Sequence, residues 1–346
     1  MSVQANIRLS WSTRDEIRPV IPGEFVPALG SSNLQLIEGN NADVLSTLGR
    51  LHAGKATLVY LDPPFFTGRQ HLLVRRSRDC EGRPERTLSR AFDDRWDNLE
   101  QYLESIWPRL VGARELLCDT GSLVLHVDPK TSHYAKILLD ELFGMECFAS
   151  EIIWRYRRWP SKTPNFQRVH DVLLRYTKTP TKSPVFNQLF EPLAASTQAT
   201  WGSRKQRAVF DDKGRRARSS TTAESSPGAP LGDVWDIGIV APVARERTGY
   251  PTQKPEALLE RLLSALTNPA DLVVDPYMGS GTTLAVAARL GRRAIGIDQN
   301  PDAIQVTRER LDTLGVNFDL SRFGTKSPML RKTKPLSVSG APRRVA

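Results

Sequence analysis

The chain has 346 residues, which is enough for one large domain or two modest ones and for a sizeable core. No apolar run approaches the roughly 18 residues of a membrane span. Residues 1–18 hold no apolar signal-like core, and Cys80, Cys118 and Cys147 show neither metal-ligand nor disulfide spacing. A membrane protein, a disulfide scaffold and a metal enzyme are therefore not expected, and a reducing cytoplasm is the expected location.

The net charge of +10 is unevenly spread. Residues 151–250 carry 17 Lys/Arg against 9 Asp/Glu, and residues 321–346 carry 7 against none, while the remainder has 24 against 29. The positive excess thus lies in a middle segment and a tail, as a polyanionic partner would require.

In chain order, residues 1–32 are rich in Pro and Gly and read as an N-terminal arm with little regular structure. Leu34–Ile37 is a strand candidate, with Asn41 or Asp43 capping a short helix. Leu58–Leu61 is a short apolar run that reads as a buried strand, ended by Pro63 and Pro64, neither of which can donate to a ladder. Residues 66–97, with eight arginines, read as a long polar loop beside that strand's end. Asn98 caps a helix that Pro108 is expected to kink or break. Leu123–Val127 is a strand, and Asp128-Pro129 reads as the N-cap and first residue of a helix ending at Gly144. Two further strands are expected near residues 151–156 and 172–177.

From Pro180 to Thr248 regular signals fade, and basic residues are interleaved with Trp201 and Trp235, a composition suited to nucleic acid. Periodicity returns after Pro255, where Leu258, Leu259, Leu262, Leu263 and Leu266 describe an amphipathic helix. Leu272–Val274 is a buried strand ending at Asp275. The loop Pro276–Gly281 opens a helix from Thr282, and residues 294–297 form a strand ending at Asp298.

Two strand ends therefore carry chemistry, and ligands of open α/β sheets bind at such edges. At the first, Asp62 can accept an N–H, a backbone carbonyl in the stiff turn can accept a second, and Phe65 can stack on a planar ring. An amino group on an aromatic heterocycle satisfies all three. At the second, the glycines of the G-S-G loop let backbone approach a ligand closely. The following helix N-terminus favours negative groups, and Asp298 can accept both hydroxyls of a ribose. A P-loop and a G-x-G-x-x-G fingerprint are both missing. Asp275 disfavours a pyrophosphate and suits a cationic cofactor.

Taken together, Asp62-Pro63-Pro64-Phe65, Thr252-Gln253-Lys254-Pro255, Asp275-Pro276-Tyr277-Met278-Gly279-Ser280-Gly281-Thr282-Thr283 and Ile295-Gly296-Ile297-Asp298 resemble the DNA amino-methyltransferases that use S-adenosylmethionine. The order, with the catalytic string first and the cofactor loop last, resembles their β class. The resemblance implies a Rossmann-like α/β fold: a circularly permuted, seven-stranded methyltransferase sheet with one antiparallel strand near an edge and an inserted target-recognition region. The implied divisions are 1–32 arm, 33–178 catalytic half, 179–248 target-recognition region, 249–320 cofactor-binding half and 321–346 basic tail. It further implies that Asp62, Pro63, Pro64 and Phe65 hold a flipped base. Asp275, Tyr277, Gly279, Gly281, Thr282, Asp298, Lys254, Pro255 and Asn40 would surround the cofactor. Asn40 stands where the family commonly has an adenine-reading Asp, Tyr277 and Met278 where it usually has Phe and often Cys, and Tyr250 where His is frequent.

Arg204, Lys205, Arg207, Arg215, Arg216 and Arg218 are the expected DNA contacts, and double-stranded DNA is the implied partner. A homodimer and a cognate restriction enzyme are left open as further partners. The expected reaction is methylation of the N6 of adenine, the Asp before Pro63 tilting away from the rival N4 of cytosine. An RNA or protein N-methyltransferase and a catalytically dead DNA-binding regulator are the remaining alternatives. A 5-methylcytosine mechanism needs a nucleophilic Cys, usually after Pro, and Cys80, Cys118 and Cys147 follow Asp, Leu and Glu.

Overall fold

The structure, a computed structural model, describes residues 8–11, 14, 23–78, 83–160, 162, 164–180, 183–215, 217 and 220–325. Its elements are β1 (Gly23–Val26), β2 (Leu34–Glu38), α1 (Asn41–Leu51), β3 (Ala56–Leu61), β4 (Arg69–Arg78), β5 (Pro84–Asp94), α2 (Leu99–Leu116), β6 (Leu117–Val127) and α3 (Ser132–Phe143). There follow β7 (Phe148–Arg155), β8 (His170–Thr177), β9 (Phe190–Glu191), α4 (Ala195–Trp201), β10 (Arg204–Arg207), β11 (Ser220–Ser225), β12 (Ala229–Pro230) and β13 (Val234–Asp236). The chain closes with α5 (Glu256–Leu266), β14 (Leu272–Asp275), α6 (Thr282–Arg289), β15 (Arg293–Asp298), α7 (Pro301–Thr313) and β16 (Asp319–Thr325).

The central sheet has the order β1-β16-β2-β15-β14-β3-β6-β8-β7-β13, ten strands among the described residues where seven were expected. β8 runs antiparallel to both β6 and β7, and β1 antiparallel to β16, while the other pairings are parallel. The three additional strands, β1, β16 and β13, are short or partly exposed. β1 and β13 have four and three residues, too few to give a strong periodic signal. β1 gives regular structure to the expected arm, β16 crosses the expected boundary at residue 320, and β13 joins the end of the 179–248 region to the main sheet.

Both faces of the sheet are covered. Along β3, Val59 and Leu61 pack into one core with Val44, Leu48, Ile106, Leu110 and Leu138, so α1, α2 and α3 lie on that face. Leu58 and Tyr60 point the other way, into a core with Leu258, Leu262, Leu284, Ile304 and Leu311 of α5, α6 and α7. Alternate strand residues serving opposite layers is the two-residue period of a strand. It explains why every β3 residue is buried, as in parallel sheets covered by helices on both sides.

Three local expectations are corrected. The expected polar loop at 66–97 is a long antiparallel hairpin of β4 and β5. Its few apolar residues decide this: Leu73 and Ala91 bury against Tyr250 and against Ala303 and Val306 of α7. Pro108 does not break α2. Around it, Ser105 donates its hydroxyl to the Tyr102 carbonyl and Arg109 its guanidinium to the Ser105 carbonyl, which adds side-chain bonds to the turn that holds the proline. α3 begins at Ser132 rather than Pro129, and Asp128 instead closes an Asx turn, accepting from the Lys130 and Thr131 N–H groups at 3.0 and 3.1 Å. Among the described residues no helix is long and apolar enough to cross a membrane, and no group of His, Cys, Asp or Glu could hold a metal ion.

Candidate active site

The parallel strands β3, β14 and β15 end at one side of the sheet and bring Asp62, which follows β3, and Asp275 and Asp298, the last residues of β14 and β15, to one cavity of about 570 Å3. That volume lies in the usual range for sites that take a drug-sized ligand. Asp62, Pro63, Pro64, Phe65, Lys254, Asp275, Tyr277, Gly279, Thr282 and Asp298 all line it. Gly281 and Pro255 do not line it; they occupy the N-cap positions of α6 and α5. Asn40 is not in the wall either. It is exposed and caps α1, accepting from the Ala42 N–H at 3.0 Å.

Asn41 takes the place in the wall that Asn40 was expected to have, because the capping role turns residue 40 outward. Asn41 Nδ2 donates to the Pro276 carbonyl at 2.7 Å, and Arg109 of α2 donates to the Asn41 side-chain oxygen. The glycine loop is thus tied to two helices of the opposite half of the chain.

The loop itself is held by its two acids. Asp275 accepts from the Tyr277 N–H at 3.0 Å and the Thr283 hydroxyl at 2.5 Å. Asp298 accepts from the Gly279 N–H at 3.0 Å and the Asn300 N–H at 2.8 Å. Burial pushes the Asp275 carboxyl up to about 7, against the opposing pull of those bonds, and the Asp298 carboxyl up to about 6. Gly279 and Gly281 have φ of +50° and +71°, the left-handed region that L side chains avoid. At Gly281 a Cβ would also lie 2.5 Å from Thr307 Cγ2. Two desolvated carboxylates beside a glycine turn suit a ligand that presents cationic charge and hydroxyl groups.

Asp62 has a partner from the other half of the chain: Lys254 Nζ lies 2.7 and 2.6 Å from its two carboxylate oxygens, and 4.8 Å from the centre of the Phe65 ring. The stretch carrying Lys254 is fixed by Gln253, whose side chain accepts from the Thr248 N–H at 2.8 Å and donates to the Glu246 carbonyl at 2.6 Å. Thr282 holds it from the other side, donating to the Lys254 carbonyl at 3.1 Å.

Several residues here were not singled out from the sequence. His126 was one of five scattered histidines, yet it is fully buried behind Asp62. Its Nδ1 is 2.8 Å from the Tyr60 hydroxyl and 3.8 Å from Asp62 Oδ1, and its Nε2 is 3.4 Å from Asp171 Oδ2. Burial pushes the Tyr60 hydroxyl far up, so it keeps its proton. Asp94, at the foot of the hairpin, is equally buried and accepts from the Phe66 and Thr67 N–H groups at 2.8 and 2.9 Å and from Trp96 Nε1 at 3.3 Å. It thereby holds the turn that follows Phe65, where Phe66 has φ of +56°. The signal that could have marked them is a polar residue inside the buried run of β6, for His126, and an acid at the last position of β5, for Asp94.

The expected DNA contacts divide differently. Arg204, Lys205 and Arg207 lie on the fully exposed β10, with Lys205 paired to Glu224 at 3.1 Å. Arg215 is exposed and pairs with Asp211 at 3.1 Å. Arg216 and Arg218 lie outside the described residues. Trp235, expected among nucleic-acid-facing aromatics, is a core side chain 5% exposed, with Arg261 over its ring at 5.3 Å.

A doubly wound α/β sheet with a glycine turn, a terminal acid and an Asp-Pro-Pro-Phe edge on one cavity defines a nucleotide-cofactor group-transfer enzyme. The family model for DNA methylases of the N6/N4 type matches residues 56–309, and the chain belongs to that family. It is a DNA methyltransferase, and its cofactor is S-adenosylmethionine. The chain is 29% identical over 278 residues to the type II methyltransferase M.HpaI of Haemophilus parainfluenzae, covering 80% of this chain and 75% of that protein. It is 27% identical over 273 residues to the DNA adenine methyltransferase YhdJ of Escherichia coli K12, covering 79% and 81%. Among solved structures, the PvuII DNA methyltransferase, described as cytosine-N4-specific, matches with a TM-score of 0.51 at 17% identity, covering 82% of this chain and 89% of that one, a likeness of fold.

Proposed function

We propose that the protein methylates the N6 amino group of adenine in duplex DNA, taking the base out of the helix to reach it. The observation that carries this reading is that Asp62 and Phe65 line the same recessed cavity as the glycine loop and Asp298, the Asp62 side chain being only 16% exposed. A base inside a duplex cannot reach such a recess, and extruding it costs a few kcal/mol. Stacking on Phe65 offsets part of that cost. Likeness to a relative named as an adenine methyltransferase, together with Asp rather than Ser before Pro63, favours adenine over cytosine.

An exocyclic amino nitrogen is a poor nucleophile because its lone pair is delocalised into the ring. The Asp62 carboxylate accepts one N–H and the Pro63 carbonyl the other, which drives the nitrogen toward a tetrahedral geometry. Its lone pair is then aimed across the cavity. Bound S-adenosylmethionine supplies the electrophilic methyl group. Asp298 would accept from its ribose hydroxyls and Gly279 would admit it close to backbone, and Tyr277, Asn41 and Arg109 shape the wall. The chain's contribution is positioning and fixed electrostatics. Arg204, Lys205, Arg207, Arg215, Arg216 and Arg218 contribute to DNA binding in this reading, within a 179–248 region that chooses the sequence.

Lys254 occupies both Asp62 oxygens in the free protein. It must give up at least one when the amino group enters, and the Phe65 face beside it becomes available for the base in the same movement. Digestion of methylated plasmid DNA to nucleosides, followed by mass spectrometry, tests the assignment: N6-methyladenine is expected, and N4-methylcytosine in its place would overturn it.

A further inference from the structure

The loop joining β7 to β8, residues 156–169, has no part in the site described above. From Arg155 to Val169 the chain carries five basic residues, Arg155, Arg157, Arg158, Lys162 and Arg168, and no acidic one. The same loop holds the two most exposed aromatic side chains among the described residues, Trp159 at 92% and Phe166 at 102%. Large aromatic rings are normally withdrawn from water, and apolar groups rimmed by charge mark contact surfaces.

The loop is rooted beside Asp62. Tyr156 donates its N–H to the Val169 carbonyl at 2.8 Å and its hydroxyl to Asp171 at 2.9 Å, and Asp171 faces His126, which backs Asp62. Arg168 pairs at 2.9 Å with Asp128, just past the end of β6. Arg158 lies over the Tyr156 ring at 5.1 Å. Gln167 Nε2 donates to the Trp159 carbonyl at 2.7 Å, so the two sides of the loop are joined next to Trp159. The loop is therefore a projecting, cross-braced element two side chains away from Asp62.

Resting on the base-extrusion reading, we infer that Trp159, assisted by Phe166, enters the DNA stack where the target base has left it. Arg157, Arg158 and Lys162 hold the flanking phosphates. Stacking on an aromatic ring is tolerant of sequence, because every base presents a π-face. The loop thus opens the duplex whatever the flanking bases are, and leaves sequence choice to other contacts. A basic loop with no acid favours a polyanion over an acidic or neutral protein surface.

The test uses the full chain and a duplex bearing its methylated sequence, with a fluorescent analogue at the target, 2-aminopurine for adenine or pyrrolocytosine for cytosine. Trp159→Ala is expected to lower kcat/KM on the paired duplex by about 5- to 150-fold, the range for losing one stacking aromatic. The analogue's fluorescence rise should fall with it, while cofactor affinity stays at the wild-type value. Trp159→Phe should retain most of the activity. Most of the loss should disappear when the target is mispaired, since an unpaired base needs no wedge. Wild-type fluorescence and rate in both Trp159→Ala and Phe166→Ala would overturn the proposal, as would a loss equal on paired and mispaired DNA. A wild-type protein that methylates the duplex without any fluorescence rise would overturn base extrusion itself, and the proposal with it.

Discussion

Lys254 and Asp62 are 192 residues apart in the chain, yet Lys254 Nζ sits 2.6 and 2.7 Å from the two Asp62 oxygens. This ion pair joins the end of β3 to the stretch preceding α5, and it occupies the carboxylate proposed to accept from the target amino group.

Asp62→Asn, which keeps the shape but removes the charge and one acceptor, is expected to lower methyl transfer by about 10²–10³-fold, the usual effect of removing one preorganised polar group. Cofactor affinity by calorimetry should be unchanged, and near-normal turnover would sink the role. Lys254→Met leaves a partly buried carboxylate unpaired. A thermal double-mutant cycle of Asp62→Asn with Lys254→Met should give a coupling energy of about 0.5–3 kcal/mol. Strict additivity of the two changes would show that the pair does not hold in solution.

Asp298→Ala removes the acceptor of the Gly279 and Asn300 N–H groups as well as the proposed ribose contact. S-adenosylmethionine binding should weaken by about 1–3 kcal/mol, the scale of leaving buried polar groups unpaired. Titration calorimetry showing the wild-type dissociation constant would refute the assignment.

Burial raises the Asp275 carboxyl to about 7, from an ordinary value of 3.8. The folded protein therefore holds this proton more tightly than the unfolded chain, so ionisation opposes folding. The penalty is absent below about pH 4, grows as pH rises toward 7, and is complete above that. Asp275→Asn keeps an acceptor for the Tyr277 N–H and offers its amide to Thr283. It should raise Tm above wild type at pH 8, with the advantage shrinking toward pH 4. Parallel Tm–pH curves for the two proteins would contradict the assignment.

On β10, Arg204→Ala and Arg207→Ala distinguish two ways of holding DNA. If the arginine neutralises a phosphate, its removal should flatten the slope of log affinity against log salt by about 1 and leave the methylated sequence unchanged. If it reads a base edge, its removal should relax the sequence at one position, at about 1–3 kcal/mol. Methylome sequencing and salt titrations read these separately, and two variants that match wild type in both would place recognition elsewhere than β10.

The placement of the candidate site residues was legible in the sequence wherever it depended on neighbours in the chain. Asp62 follows an apolar run and precedes two prolines; Asp275, Gly279, Gly281 and Asp298 sit in one strand-turn-helix-strand unit. Local spacing alone places such groups at strand ends, and parallel strands then bring those ends to one edge. The hairpin of β4 and β5 was hidden because its exposed positions mix charged residues with Leu72 and Leu88, and only Leu73 and Ala91 are buried, through packing against Tyr250 and α7 that no local pattern encodes. Asn40 and Asn41 are adjacent and alike in sequence, and only the geometry of the helix start turns one outward as a cap and the other into the cavity wall. The partners of Asp62, Lys254 from 192 residues away and His126 from the neighbouring strand, and the full exposure of Trp159, were decided by tertiary structure alone. Strand order and side-chain direction determine which distant groups meet, and neither is a property of any one stretch of chain.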